Sequence, residues 1–321
     1  MKIRKTALLI LLLAAAVGLQ AQTGEFKRGE GSIEYTMYKP LADKPVTLYY
    51  YIPAEGDLQE MPVLFSIHGA GRNAAPQVDS WKYFAEERGF VVLAPEFTRE
   101  KGYEYYHFGD MYEGEPPVLK SPEEWNFCLI EDIFDYFREE TGNSSQTYDI
   151  FGHSGGGQYV HRFLMAMSEA RVGVAVAANP GSWAFPYVNG ITGTDGETYG
   201  WPYSLLDTPF ASKEHLARFF ALDMWVQVGT ADNDPNSTSM PHEPPAAAEG
   251  ANRYERARNF YAACQAVAAE LGVPLNFRYV EVEGVGHSGT GMIYGKPEVA
   301  DRSDASDRGA GSAFDLIYNR K

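Results

Sequence analysis

Residues 148–157 read Tyr148-Asp149-Ile150-Phe151-Gly152-His153-Ser154-Gly155-Gly156-Gly157. A short apolar run meets a serine set between glycines, and helical spacing follows at once, with Val160, Phe163, Leu164 and Met167 at i, i+3, i+4 and i+7. The pattern predicts a strand, a sharp turn and a helix whose apolar stripe faces a core, with Arg162 and Glu169 off that stripe. So tight a turn leaves no room for a side chain at Gly152 or Gly156. Ser154 then stands at the helix N-terminus, where free N–H groups and the positive end of the dipole favour a developing oxyanion.

Outward from this turn, strand-like and helical stretches alternate, the pattern of a largely parallel sheet with helices on both faces. Segments 32–38 and 46–52 read as an opening hairpin, and 63–67, 90–94, 172–177, 224–228 and 276–282 as strands. Helices are expected over 81–88, from near Pro122 to Gly142 with Trp125, Leu129, Ile133 and Phe137 on one face, and over 252–271, ended by Gly272. Two stretches resist this grammar. Residues 179–212 form an aromatic insertion with Trp183, Phe185, Tyr187, Tyr199, Trp201 and Tyr203 amid Pro and Gly, and 232–250 is rich in Pro, Asn and Ala. Long irregular segments inside a compact domain are more often functional loops than linkers.

A serine hydroxyl needs a base within hydrogen-bond reach, and the base needs a carboxylate to orient it. The strand at 224–228 runs into Gly229-Thr230-Ala231-Asp232-Asn233-Asp234, and the last strand into Gly284-Val285-Gly286-His287-Ser288. Ser154, Asp232 and His287 are the candidate nucleophile, acid and base; Asp234 competes with Asp232, which stands earlier in its loop. His68-Gly69-Ala70-Gly71 follows an earlier strand, so N–H groups of Ala70 or Gly71 can join that of Gly155 as an oxyanion hole. Trp183 and His153 are candidates for touching substrate, against packing for the first and a structural role for the second and for His68. His107, His161, His215 and His242 have no assignable partner, and Arg253, Arg256 and Arg258 share one helix and are expected to pair with carboxylates.

On HGAGRNA at 68–74, GHSGGG at 152–157, VGTAD at 228–232 and GVGHS at 284–288, the chain resembles the α/β-hydrolase superfamily, and within it secreted esterases similar to polyhydroxybutyrate depolymerases and feruloyl esterases. The resemblance implies an α/β-hydrolase fold, Ser154 as nucleophile, His287 as general base and acid, Asp232 as its orienting carboxylate, and neither metal nor organic cofactor. It implies an exported serine hydrolase acting on a small or polymeric carboxylic ester. A peptidase of the prolyl oligopeptidase-like class and a noncatalytic binding protein on the same scaffold are the alternatives.

Residues 1–21 read as a secretory signal peptide: Lys2, Arg4 and Lys5, then an apolar run to Val17, then Leu19-Gln20-Ala21. That run is shorter than a membrane span needs. The expected mature unit is one α/β-hydrolase domain over 22–321, destined for the periplasm or beyond. The formal charge of −16 over 321 residues becomes more negative still once three basic residues leave, which argues against nucleic acid or an anionic membrane as partner. Cys128 and Cys264 read as free thiols ahead of a bridge. Asp232, Asp234, Asn236 and Glu243 have the spacing of a calcium loop, but Ser237 stands where a glycine is required and a strand precedes it, so no metal site is expected.

Overall fold

Strand residues alternate between two apolar faces, and that alternation builds the molecule. In β3 (Val63–Ile67) Leu64 and Phe65 enter different cores, as do Ile150 and Phe151 in β5 (Tyr148–His153). The computed structural model describes residues 26–319, so the leader read at 1–21 lies outside the described residues. With β1 (Gly29–Tyr35), β2 (Val46–Ile52), β4 (Val91–Glu96), β6 (Val172–Ala178), β7 (Met224–Gly229) and β8 (Arg278–Val282), these strands form one sheet in the order β1-β2-β4-β3-β5-β6-β7-β8. β2 pairs antiparallel with β1 and with β4, and every other pairing is parallel.

One face carries α2 (Cys128–Thr141), α3 (Gly155–Ala166), α4 (Lys213–Ala221) and α5 (Arg253–Leu271), packed through residues such as Ile133, Phe163, Phe219 and Phe260. The other carries α1 (Ala75–Arg88), α6 (Gly289–Tyr294) and α7 (Ala313–Tyr318), through Trp81, Phe84, Tyr294 and Phe314. Register decides where the site falls. Gly152 pairs with both Ile67 and Ala177, and Gly229 pairs with Val282, so the chain leaves β3, β5, β6, β7 and β8 along one edge of the sheet. Ligand sites of open α/β sheets lie at that carboxyl edge, next to the point where strand order reverses.

Several boundaries differ from the sequence reading. Pro122–Glu124 is a separate 3-10 turn, and extended backbone at Trp125 delays α2 to Cys128. The aromatic insertion holds a small hairpin, Ile191–Thr192 with Thr198–Tyr199. The two cysteines are free thiols, Cys264 buried and Cys128 partly so.

Candidate active site

Ser154 is the single residue between β5 and α3, and it holds φ 59° and ψ −121°, a left-handed conformation that a side chain tolerates only under constraint. Such strain costs roughly 1–3 kcal/mol and persists where the surroundings over-determine it. Here the surroundings are backbone: a Cβ at Gly156 would lie 2.1 Å from the carbonyl oxygen of Ile67, and one at Gly152 would lie 2.2 Å from that of Gly156. Glycine at both positions lets α3 start against β3, and the turn lifts the Ser154 hydroxyl off the sheet edge.

His287 reaches this hydroxyl from the loop after β8, its Nε2 3.0 Å from Ser154 Oγ. Its Nδ1–H donates to Asp232 Oδ2 at 2.7 Å. That bond leaves Nε2 as the acceptor facing the serine. Asp232 is buried, whereas Asp234 is exposed and accepts from the Asn236 N–H. Of the two candidate acids, the structure brings Asp232 to the imidazole. Its other oxygen, Oδ1, lies 3.3 Å from Nη1 of the buried Arg253.

The 68–71 loop passes close to the serine. A Cβ at Gly69 would lie 3.6 Å from Ser154 Cβ, and one at Gly155 would lie 3.0 Å from the Ala70 nitrogen, so the backbone at 69–70 packs close to Ser154 and to the first residue of α3. Gly155 opens α3 and has no intrahelical acceptor for its N–H. At Gly71 an added Cβ meets no atom within 4 Å. The loop is pinned from beneath: His68 Nδ1–H donates to Gly69 O at 2.9 Å, Phe97 N–H donates to His68 Nε2 at 2.9 Å, and the Tyr106 hydroxyl donates to His68 O at 2.9 Å. Burial, with Arg72 nearby, lowers the His68 imidazole to about 4, so it stays neutral and keeps both bonds.

The chain is 34% identical to poly(aspartic acid) hydrolase-1 of Sphingomonas sp. KT-1, over 83% of this chain and 96% of that one, with a TM-score of 0.76. It is an α/β hydrolase. This hydrolase is also similar to LpqC, a poly(3-hydroxybutyrate) depolymerase from Bordetella parapertussis, at 29% identity over 87% of this chain and 94% of that one, with a TM-score of 0.76. It belongs with the esterase- and depolymerase-like members of the family. No protein-family model matches it and no curated protein does.

Around these residues, the candidate substrate contact at Trp183 is corrected, and the off-stripe Arg162 proves to be buried. Trp183 does not face the site: its ring is 0% exposed, stacked on Phe260 at 4.2 Å and tilted against His161. Arg162 is not on a solvated face: it is 0% exposed, because the aromatic insertion folds over α3 and offers it Pro202 O at 2.9 Å and Ser182 Oγ at 3.1 Å. His161 is a satisfied core residue, its Nδ1–H donating to Gly157 O and its Nε2 accepting the Ala184 N–H. His153 lies against His287 with ring centroids 4.6 Å apart, and burial first, then His287 and Arg253, hold it well below the usual imidazole range. Of the helix arginines, Arg253 meets a carboxylate directly, while Arg256 spends its guanidinium on the carbonyls of Gly250 and Gly181.

Sequence reasoning missed Asn179, whose Oδ1 accepts the Gly229 N–H at 2.8 Å and whose Nδ2 donates to Gly286 O at 3.3 Å, tying β6 and β7 to the His287 loop. Its φ of 46° is a backbone state no local pattern announces. The insertion does contribute an accessible ring, Trp201. With Tyr105, Phe108 and Tyr112 it lines a cavity of about 520 Å³, and its Nε1–H donates to Phe108 O at 3.0 Å. Ser154, Asp232 and His287 are not among its lining residues.

Proposed function

We propose that this hydrolase cleaves carboxylic esters by acyl transfer through Ser154, His287 and Asp232. The observation that carries the reading is the unbroken bond sequence from Ser154 Oγ to His287 Nε2 at 3.0 Å and from His287 Nδ1 to Asp232 Oδ2 at 2.7 Å. In the first step Ser154 Oγ attacks the carbonyl carbon while its proton passes to His287 Nε2, and Asp232 stabilises the imidazolium. The oxyanion takes hydrogen bonds from the N–H groups of Gly155 and Ala70, with Gly71 next in the same loop. Collapse of the tetrahedral intermediate releases the alcohol, which takes the proton from His287. Water then attacks the acyl-serine by the same route, so the cycle draws only on side chains, backbone N–H groups and water.

An ester of the polyester, feruloyl or acetyl kind has the likeness to a poly(3-hydroxybutyrate) depolymerase behind it. A second reading, hydrolysis of an anionic polymer, has the likeness to a poly(aspartic acid) hydrolase behind it, and the formal charge of −16 weighs against it. We also take residues 1–21 as a cleaved leader, 22–321 as one domain and the periplasm or medium as its destination; among the described residues no helix is long and apolar enough to cross a membrane.

The test is turnover of p-nitrophenyl acetate, poly(3-hydroxybutyrate) and poly(aspartic acid) by the wild type and by Ser154→Ala, with fluorophosphonate labelling of both. Ester turnover and labelling that vanish in the variant, a fall of about 10⁴-fold or more in kcat, support the reading. Ester turnover retained by Ser154→Ala removes it, and preference for the poly(aspartic acid) amide over both esters selects the second reading.

A further inference from the structure

The loop after β7 has the acidic spacing of a calcium site, and its interior is filled by a side chain instead. Arg253, in the first turn of α5 and 1% exposed, places Nη1 3.3 Å from Asp232 Oδ1 and 3.2 Å from Ser237 Oγ, and Nη2 2.7 Å from Ser239 O and 3.1 Å from Ser239 Oγ. The next residue holds the same aspartate by backbone, Tyr254 N–H donating to Asp232 O at 3.2 Å. Glu243, which the calcium spacing assigned to the ion, bonds the Tyr203 hydroxyl. Among the described residues no group of His, Cys, Asp and Glu is disposed to hold a metal.

We propose that Arg253 is a positioning residue for the Ser154, His287 and Asp232 chain: its guanidinium is the internal cation around which residues 232–239 fold, and it holds Asp232 as a carboxylate aimed at the imidazole. The proposal rests on the reading of Ser154 as nucleophile. Asp232 Oδ2 is occupied by His287, and without Arg253 its Oδ1 is a buried anionic acceptor with no charged partner, a costly state. A charge-assisted bond satisfies that oxygen and fixes the carboxylate plane. The cation also offsets part of the negative field that Asp232 exerts on His287. The titratable and charged groups around the imidazole are Asp232 on the β7 loop, His153 at the end of β5 and, behind Asp232, Arg253 on α5; His153 is uncharged. Removing the guanidinium therefore strengthens the pull of Asp232 on the imidazolium and moves the acid limb of the rate profile to higher pH.

The experiment uses the full chain with p-nitrophenyl acetate as probe and the wild type and Ser154→Ala as references. Arg253→Met is expected to lower kcat at least about tenfold with KM changed less than about threefold, and to raise the acid limb of kcat/KM by about one pH unit. Guanidinium ion restores activity to Arg253→Ala, and calcium or methylammonium at equal ionic strength does not. Arg253→Lys, the variant most able to fold, keeps the charge without the fork, so its acid limb stays in place while kcat falls. A kcat for Arg253→Met close to wild type, or a loss of kcat with the acid limb unmoved, overturns the proposal. One readout needs no substrate: the low-field proton of the His287 Nδ1–H bond to Asp232, followed by NMR in Ser154→Ala, is lost or displaced on adding Arg253→Met. An unchanged resonance overturns the proposal, whereas a wild type inert toward esters overturns only the reaction assigned above.

Discussion

Asp232 and Asp234 stand two positions apart in one loop, carry the same group and face different worlds. The first is buried between His287 and Arg253; the second is exposed and closes a local turn onto Asn236. Asp232→Asn keeps the shape but loses the charge that stabilises the imidazolium, and an amide can turn its N–H₂ toward Nδ1 and leave His287 in the wrong tautomer. We expect a fall of about 10³–10⁴-fold in kcat, against less than about twofold for Asp234→Asn, read from initial rates on p-nitrophenyl acetate. Equal losses in the two variants would refute the assignment. The three residues of this chain were legible because each follows a strand end in a glycine-bearing loop. Arg253 was legible only as one of three arginines on a helix, since nothing local says which of them the fold turns toward the acid.

Among the elements, α3 departs most from its sequence pattern. Its apolar stripe of Val160, Phe163 and Leu164 is buried as expected, but so is the side that carries Arg162. A helix pattern assigns a charged residue to solvent unless another element arrives over it, and here residues 181–205 do. Arg162 answers with bonds to Pro202 O and Ser182 Oγ and a cation–π contact at 4.8 Å on Phe108, which lines the aromatic cavity. Glu249, buried nearby, is pushed well above the usual carboxylate range by burial, with Arg256 and Arg162 opposing. For the same cause the sequence leaves Trp183 open between substrate contact and packing: an aromatic run reads alike whether it lines a cleft or packs inward. The strands and long helices were legible from period and punctuation, while α6, α7 and the small hairpins are too short for either. Arg162→Met removes one of the two cations of this buried set and leaves the Pro202 carbonyl and the Ser182 hydroxyl without their donor, so we expect a loss of about 1–3 kcal/mol in stability. Limited proteolysis of that variant should cut first within 179–212; cleavage no faster than in the wild type would show that the insertion is held by its apolar contacts alone.

For the molecule as a whole, the buried histidines outweigh the buried carboxylates in setting acid stability. Burial lowers His68 to about 4 and, with Arg162 and other cations, His107 to about 3; it also lowers His215 and holds His153 and His161 well below their usual range. In the unfolded chain each titrates near 6.5. Between these values the unfolded state binds protons that the fold refuses, so stability is fully present above about pH 6.5 and declines as pH falls toward the folded values. His68 alone contributes ~3 kcal/mol of that loss by pH 4. Asp110 and Glu249 act with the opposite sign: burial raises both, so the fold takes their protons before the unfolded chain does. Five histidines against two carboxylates leave a net decline, and its site is structural, since His68 and His161 each give one ring nitrogen to a backbone N–H that a proton would displace. Urea midpoints measured from pH 7 to pH 4 should fall steadily below about pH 6.5. His68→Gln, which can still accept from Phe97 but does not titrate, should make that fall shallower by about one proton. A midpoint that stays level from pH 6.5 to pH 4.5 would mean that these imidazoles are not held neutral by the fold.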